Sequence, residues 1–201
     1  MENLNERQIK ADEMRLGFPE FVAMNNPLRR WVQKNVEFRI FRNQLKRHGF
    51  DLHGKVIMDA GCGSGYSTGL IIKEFHPVHI IAFDYMPEQI KLARKRNLKV
   101  DFSIGDLTNI KSSDTVFDAL FIFGVLHHIP KWRTALSEVS RVLKGDGIFL
   151  VDEPSFTRFT WKEFEAGIRE AGFEILDVKK FFLAYFHAYL CKKRLTPGTH
   201  E

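Results

Sequence analysis

Cysteine is nearly absent: Cys62 and Cys191 are the two in 201 residues, and neither stands at metal-ligand spacing from a partner. Neither a disulfide framework nor a zinc site is therefore expected, and no metal is assigned. Long apolar runs are missing too. The longest, Ala119 to Leu126, contains Gly124 and falls far short of the ~20 residues a helix needs to cross a bilayer. The first ten residues, MENLNERQIK, lack the apolar core of a secretory signal. These absences lead to the expectation of an unexported, cytoplasmic protein without a membrane span. No polar low-complexity tract interrupts the chain, and 44% apolar composition suits one globular domain with a small appendage.

Charge is present in excess of one sign. The formal net charge is +5, and from Arg29 to Arg47 seven Lys or Arg residues face a single acid, Glu37. Contact with nucleic acid or a membrane is one reading of that run; a solvated helix face is the preferred one. The stretch is helical from Pro27, which suits a first helical position, to the stop at His48-Gly49. At 100° per residue it carries two apolar stripes: Trp31, Phe38, Phe41 and Leu45, and Leu28, Val32, Val36 and Ile40. One can pack on a sheet. The other then faces a substrate, a partner subunit or the preceding segment, so a homodimer stays open. Residues 1–26, with breaker clusters at Gly17-Phe18-Pro19 and Asn25-Asn26-Pro27, read as one short helix and a loop.

The centre of the chain is residues 54–69, GKVIMDAGCGSGYSTG. Val56, Ile57 and Met58 read as a buried strand, Asp59 as its acidic tip, Gly61, Gly63 and Gly65 as a turn, and Ser67 to Phe75 as a helix. Such a strand–turn–helix lets a ligand approach bare backbone, with helix N–H groups pointing at it. A dinucleotide fingerprint requires a third glycine where Tyr66 stands, which disfavours a nicotinamide-dependent oxidoreductase.

Further strands follow at regular intervals. Val78 to Phe83 ends in Asp84, 23 residues beyond Gly61, near the spacing at which a carboxylate accepts from both hydroxyls of an adenosine ribose. Pro87 to Arg96 reads as a helix closed by Asn97, and Lys99 to Ile104 as a strand leading to Gly105-Asp106-Leu107. Val116 to Gly124 is a nearly continuous apolar run of the kind a central parallel strand shows, followed by His127-His128. A helix from Lys131 to Leu143, a turn at Lys144-Gly145-Asp146-Gly147 and a strand from Ile148 to Val151 come next. Thr160-Trp161-Lys162-Glu163 is a capping box opening a helix that ends at Gly172. Two closing strands cover Phe173 to Phe181 and about Tyr185 to Lys193, and the aromatic run between them is read as buried against helices in preference to lining a substrate.

The order Asp59-x-Gly61-x-Gly63-x-Gly65, Asp84, Gly105-Asp106-Leu107 and Phe117-Asp118 through His127-His128 resembles the class I S-adenosylmethionine-dependent methyltransferases. The likeness spans about Lys55 to Lys193 and is greatest to small-molecule methyltransferases of the quinone-biosynthesis type. Their usual Leu-Lys-Pro-Gly-Gly turn is here Leu143-Lys144-Gly145-Asp146-Gly147. The resemblance implies an α/β, Rossmann-like seven-stranded sheet of order 3-2-1-4-5-7-6, mostly parallel with the last strand antiparallel, and helices on both faces. It implies an N-terminal helical cap over 1–49, the cofactor-binding domain over 50–194 and a tail over 195–201.

It also implies S-adenosyl-L-methionine as cofactor, S-adenosyl-L-homocysteine as product and a small-molecule methyl acceptor. Asp59, Ala60, Gly61, Cys62, Gly63 and Gly65 are the expected holders of the methionine end. Asp84, Tyr85 and Met86 are placed at the ribose, Gly105, Asp106 and Leu107 at the adenine, and Phe123, Gly124 and Val125 under the sulfonium. A hydroxyl acceptor needs a base. His128, and second His127, are the candidates, against the alternative that one of them only packs. The Asn-Pro-Pro-Tyr type of motif used on base amines is absent after the fourth strand, so a DNA adenine substrate is disfavoured. A non-catalytic or RNA-binding relative using the basic helix remains the alternative.

Overall fold

The computed structural model describes residues 25–154 and 158–195, and in them each strand enters one seven-stranded sheet. Helix α1 (Pro27–Val32) runs through a π-helical turn (Gln33–Glu37) into α2 (Phe38–Arg47). Strand β1 (Val56–Ala60), α3 (Tyr66–Phe75), β2 (His79–Asp84), α4 (Pro87–Arg94), β3 (Asp101–Ile104) and β4 (Phe117–Phe123) follow. After a 3-10 turn at Leu126–His128 come α5 (Trp132–Val142), β5 (Leu143–Pro154), α6 (Trp161–Glu170), β6 (Phe173–Phe181) and β7 (Phe186–Lys193). The order is β3-β2-β1-β4-β5-β7-β6, with β7 antiparallel to both neighbours, as the resemblance implies.

Alternation along the strands builds two cores. Ile57, Ala119, Phe121, Ile148 and Leu150 point to one face, where Phe38, Phe41 and Leu45 of α2 and Ile71 of α3 cover them. Met58, Leu120, Ile122, Phe149 and Val151 point to the other, under Leu136 and Val139 of α5 and Phe164 and Ile168 of α6. Strand β4 is buried on both sides, which explains its nearly continuous apolar sequence, broken only by the half-buried Asp118. The capping box forms as expected, with Thr160 Oγ1 accepting from Glu163 N and Glu163 Oε2 accepting from Thr160 N.

Three expectations change. The π turn inserts a residue into the helical register, so Phe38, Phe41 and Leu45 are buried while Trp31, placed on the same stripe, is 59% exposed. Extended chain begins at Leu143, makes an excursion over residues 144–147 between the Phe117↔Leu143 and Ala119↔Ile148 pairs, and continues to Pro154. Asp152, Glu153 and Pro154 are thus sheet residues although their types signal a loop. The aromatic run at the β6–β7 turn is not sealed under helices: Phe182 is 49% and Leu183 fully exposed. The helix read within residues 1–26 falls, but for Asn25 and Asn26, outside the described residues, as does most of the tail.

Candidate active site

Chain connections leave β1 toward the face carrying α3 and leave β4 toward the face carrying α5, so a crevice opens between the carboxyl ends of these two adjacent strands. The crevice holds an open cleft of about 700 Å³, counted with the solvent space at its mouth. Gly61, Gly63, Asp84, Tyr85, Met86, Gly105, Asp106, Leu107, Phe123, Gly124, Val125 and His128 line it, together with Phe83, Gln89 and Ile129. Two of the glycines are required by contact. A Cβ on Gly61 (φ 74°) falls 2.5 Å from Val125 Cγ2, and one on Gly105 falls 2.7 Å from the Phe83 ring. Gly63 (φ 52°) has no atom within 4 Å of that position and leaves open space.

Two acids are set by their own turns. Asp84 Oδ1 accepts from Met86 N at 2.9 Å and its Oδ2 from Gly63 N at 2.8 Å; burial raises its carboxyl above the usual range, opposed by these two bonds. Asp106 Oδ1 accepts from Thr108 N and Thr108 Oγ1. The loop that carries Asp106 is fastened from α5, where Arg141 donates to Ile110 O and Ser112 O, and Glu138 accepts from Ile110 N.

The glycine turn departs from expectation in its polarity. Gly61 N and Cys62 N both donate to Phe83 O at 2.9 Å, and Gly63 N is taken by Asp84, so these donors face strand β2. Those three N–H groups are closed to an anion and the turn presents bare Cα surface at Gly63, which does not suit a pyrophosphate. Other predicted residues lie behind the cleft wall. Asp59 is buried behind α3, its Oδ2 accepting from Ser67 Oγ and Thr68 Oγ1 while Oδ1 has no partner; burial pushes its carboxyl up to about 6. Ala60 is sealed at the strand end, the Cys62 side chain packs with Ala82, Ile90, Ala93 and Phe102, and Gly65 is pressed against Ala93 and Phe102.

A recess of about 410 Å³ adjoins the cleft and shares Gly61, Gly63, Gln89 and Phe123 with it. Arg29, Arg30 and Gln33 of the N-terminal helix close it over Ser64 and Tyr66. Arg30 and Arg96 flank the Tyr66 ring, 5.9 and 5.4 Å from its centroid, and neither is paired with an acid among the described residues. Arg30 Nε is buried without a partner. Sequence reading missed this basic recess, because its residues come from separated elements and only the run of basic residues hinted at it.

The other side of the cleft is built on Glu153, which was also missed. Fully buried at the end of β5, its Oε1 accepts from Val125 N and Leu126 N, and its Oε2 from His127 N and from the His127 ring at Nδ1, 2.7 Å away. That bond fixes the ring, leaves Nε2 as its other nitrogen and draws His127 out of the cleft lining. The ring lies over Gly124, with Cε1 3.9 Å from a Cβ built there, and packs at a 43° tilt against His128 with centroids 3.9 Å apart. On the opposite face of β5, Asp152 is buried with an unpartnered Oδ2, and burial and the nearby Glu37 both raise its carboxyl. Glu37, also raised by burial, is held by Arg29 at 2.8 Å.

The sequence profile of a methyltransferase-domain family matches residues 51–182, about two thirds of the chain. The chain belongs to the class I S-adenosylmethionine-dependent methyltransferases. Among relatives of this methyltransferase domain, a fatty-acid O-methyltransferase of Mycolicibacterium smegmatis is 26% identical over 177 residues, 85% of this chain and 64% of that protein. A phthiotriol/phenolphthiotriol dimycocerosates methyltransferase of Mycobacterium tuberculosis is 34% identical over 101 residues, 49% of this chain and 37% of that one. The domain thus spans less than two thirds of these relatives' length. In solved structures the fold recurs in an Aquifex aeolicus S-adenosylmethionine-dependent methyltransferase, with TM-score 0.72, 17% identity and coverage of 89% and 99% of the two chains. It also recurs in the [4+2]-cyclase SpnF, with TM-score 0.69, 21% identity and coverage of 79% and 81%. One fold carrying two reactions means that the chemistry must be argued from the site.

Proposed function

We propose that the domain binds S-adenosyl-L-methionine in this cleft and transfers its methyl group to a small-molecule acceptor through an oxygen nucleophile. The observation that carries the reading is the occupied set of turn donors: with Gly61, Cys62 and Gly63 N–H groups committed to β2, the cradle accepts a cation. A methionine tail has one, its ammonium, and the basic recess formed by Arg30, Tyr66 and Arg96 receives the carboxylate beside it. Asp84, with each oxygen steadied by one N–H, keeps lone pairs for two vicinal hydroxyls. Asp106 keeps Oδ2 for an exocyclic amine, and Leu107, Met86 and Ile129 supply apolar walls for a purine. The residues present therefore fit the cofactor.

When bound, that cofactor supplies a methyl group on a positively charged sulfur, so the leaving group needs no acid. The chain's part is to align and to move one proton. Holding two reactants in line accounts for up to ~7 to 11 kcal/mol of a barrier. His128, which lines the cleft, is placed to accept the proton of a hydroxyl or acid, and His127, held at Nδ1 by the Glu153 carboxylate, packs against it. The fatty-acid O-methyltransferase relative agrees with an oxygen nucleophile on an apolar acceptor. The RNA-binding alternative is weakened because Arg42 and Arg47 are paired with Glu74 and Asp177.

Calorimetric titration with S-adenosyl-L-homocysteine tests the reading. Saturable binding is expected, with Asp84→Ala weakening it at least ~100-fold, since two charge-assisted bonds of roughly 1.5–3 kcal/mol each are lost. Absence of heat with a folded protein, or tighter binding of NADH, overturns it.

A further inference from the structure

Large exposed apolar side chains are not spread evenly over the molecule. Among the described residues these are Leu28, Trp31, Ile104, Phe182, Leu183 and Tyr185, with Val78 and Leu195 besides. The first six share one end. Ile104 closes β3, and Leu28 and Trp31 lie on the helix that covers the recess beside Gly61 and Ser64. Strand β6 is antiparallel to β7, which is antiparallel to β5, so β6 runs with the parallel strands and its turn to β7 rises at their carboxyl ends. Val78 and Leu195 lie at the opposite end, before β2 and after β7.

The tip of that turn is built in an unusual way. Phe182, Leu183 and Ala184 all have positive φ, at 48°, 55° and 66°, a conformation glycine adopts without strain and bulky residues avoid. Yet the tip holds Phe182 at 49% and Leu183 at 101% exposure. Lysines flank it: Lys179 faces α2, where it joins Lys46 and Arg47 around a shallow recess, and Lys180 projects from the opposite face of the same edge strand. Lysine on an edge strand also discourages strand pairing, but that role does not explain an apolar tip beyond it.

We propose that this end of the molecule docks on an anionic lipid bilayer surface, with Phe182 and Leu183 inserted among the acyl chains and Lys179 and Lys180 on the headgroups. An apolar wedge with lysines beside it fits that surface, because hydrocarbon takes the wedge and acidic headgroups take the charge. Nucleic acid has no use for a fully exposed leucine, and a second copy of a chain of net charge +5 is repelled overall, whereas an anionic surface attracts it. Docking by this end sets the mouth of the cleft against the bilayer, where apolar molecules are held.

Co-sedimentation of the full chain with vesicles tests the proposal. Vesicles of phosphatidylcholine alone and of phosphatidylcholine with about a third phosphatidylglycerol are compared at fixed salt, with S-adenosyl-L-homocysteine binding as the control for folding. Binding is expected to the anionic vesicles and to fall steeply with salt. Leu183→Glu is expected to weaken it about tenfold or more, and Lys179→Ala with Lys180→Ala about fivefold per lysine. The proposal is overturned by no vesicle binding, by equal binding to both compositions, or by binding that neither variant changes. Self-association lost with Leu183→Glu, or RNA retention lost with the lysine variants, in the absence of vesicle binding also overturns it.

Discussion

The carboxyl end of the sheet divides into two halves that use acidic residues in opposite ways. At β1 to β3 the acids in the cleft are held by turn N–H groups, Asp84 by Met86 N and Asp106 by Thr108 N, each two residues downstream, and Asp84 also by Gly63 N of the glycine turn. Both line the cleft. At β4 and β5 the acids are turned inward: Glu153 gathers residues 26 to 28 positions earlier in the chain, and Asp152 lies beside Glu37 of the N-terminal helix. Asp84 and Asp106 line the cleft, whereas Glu153, with both oxygens taken by backbone N–H groups and the His127 ring, serves the architecture by holding His127.

The widest contrast comes from Glu153→Ala. It leaves the N–H groups of Val125, Leu126 and His127 and the His127 ring without their acceptor, so a loss of roughly 3–5 kcal/mol in a denaturant titration is expected, with methyl transfer lost beyond what instability explains. Glu153→Gln restores shape but adds a donor facing donors, and is expected to remain deficient. If Glu153→Ala costs no more than Asp106→Ala, the inward acid is not architectural and the contrast fails.

A smaller pair of effects separates the glycines of the turn. Gly61→Ala places a methyl against Val125 and strains a positive φ, which predicts about 2–4 kcal/mol of destabilisation. Gly63→Ala meets open space and carries only the strain, about 1 kcal/mol, yet puts its methyl where the ligand belongs. Thermal melts and S-adenosyl-L-homocysteine titrations on the two variants are expected to rank oppositely. Equal binding by Gly63→Ala and the parent chain removes the ligand from that side of the turn.

The same division decides what the sequence could reveal. Asp84 and Asp106 were legible because strand, acid and turn are contiguous, and the capping box at Thr160 because both partners lie within three residues. Strand order followed from the resemblance. Glu153 was hidden twice: its type and the following Pro154 signal a loop, and its partners lie 26 or more residues away. Trp31 was misplaced because a constant 100° per residue has no allowance for a π turn. The direction of the Gly61 and Cys62 N–H groups depends on Phe83 O, which a glycine count does not reveal. The hold of Glu153 on the His127 ring was hidden for the same reason.

Asp59 belongs by position to the first half and by burial to the second, so it gives the finest test. Its carboxyl rises from 3.8 to about 6 in the folded chain, because burial outweighs the hydroxyls of Thr68 and Ser67. A carboxyl raised on folding binds its proton more tightly in the folded state, so its contribution to stability is full below 3.8 and is lost as pH rises through about 6. Asp59→Asn removes that titration while keeping an oxygen for the two hydroxyls. The variant's stability relative to the parent is therefore expected to improve by about 1.5 kcal/mol between pH 5 and pH 8, measured by urea titration of the ligand-free protein at both values. Binding of S-adenosyl-L-homocysteine is expected to weaken in the same variant, since the unpartnered Oδ1 is a buried acceptor two residues before Gly61. A pH-independent stability difference means that Asp59 is ionised in both states, and a buried carboxylate would then require a cation that the ligand-free site has to supply from its own residues.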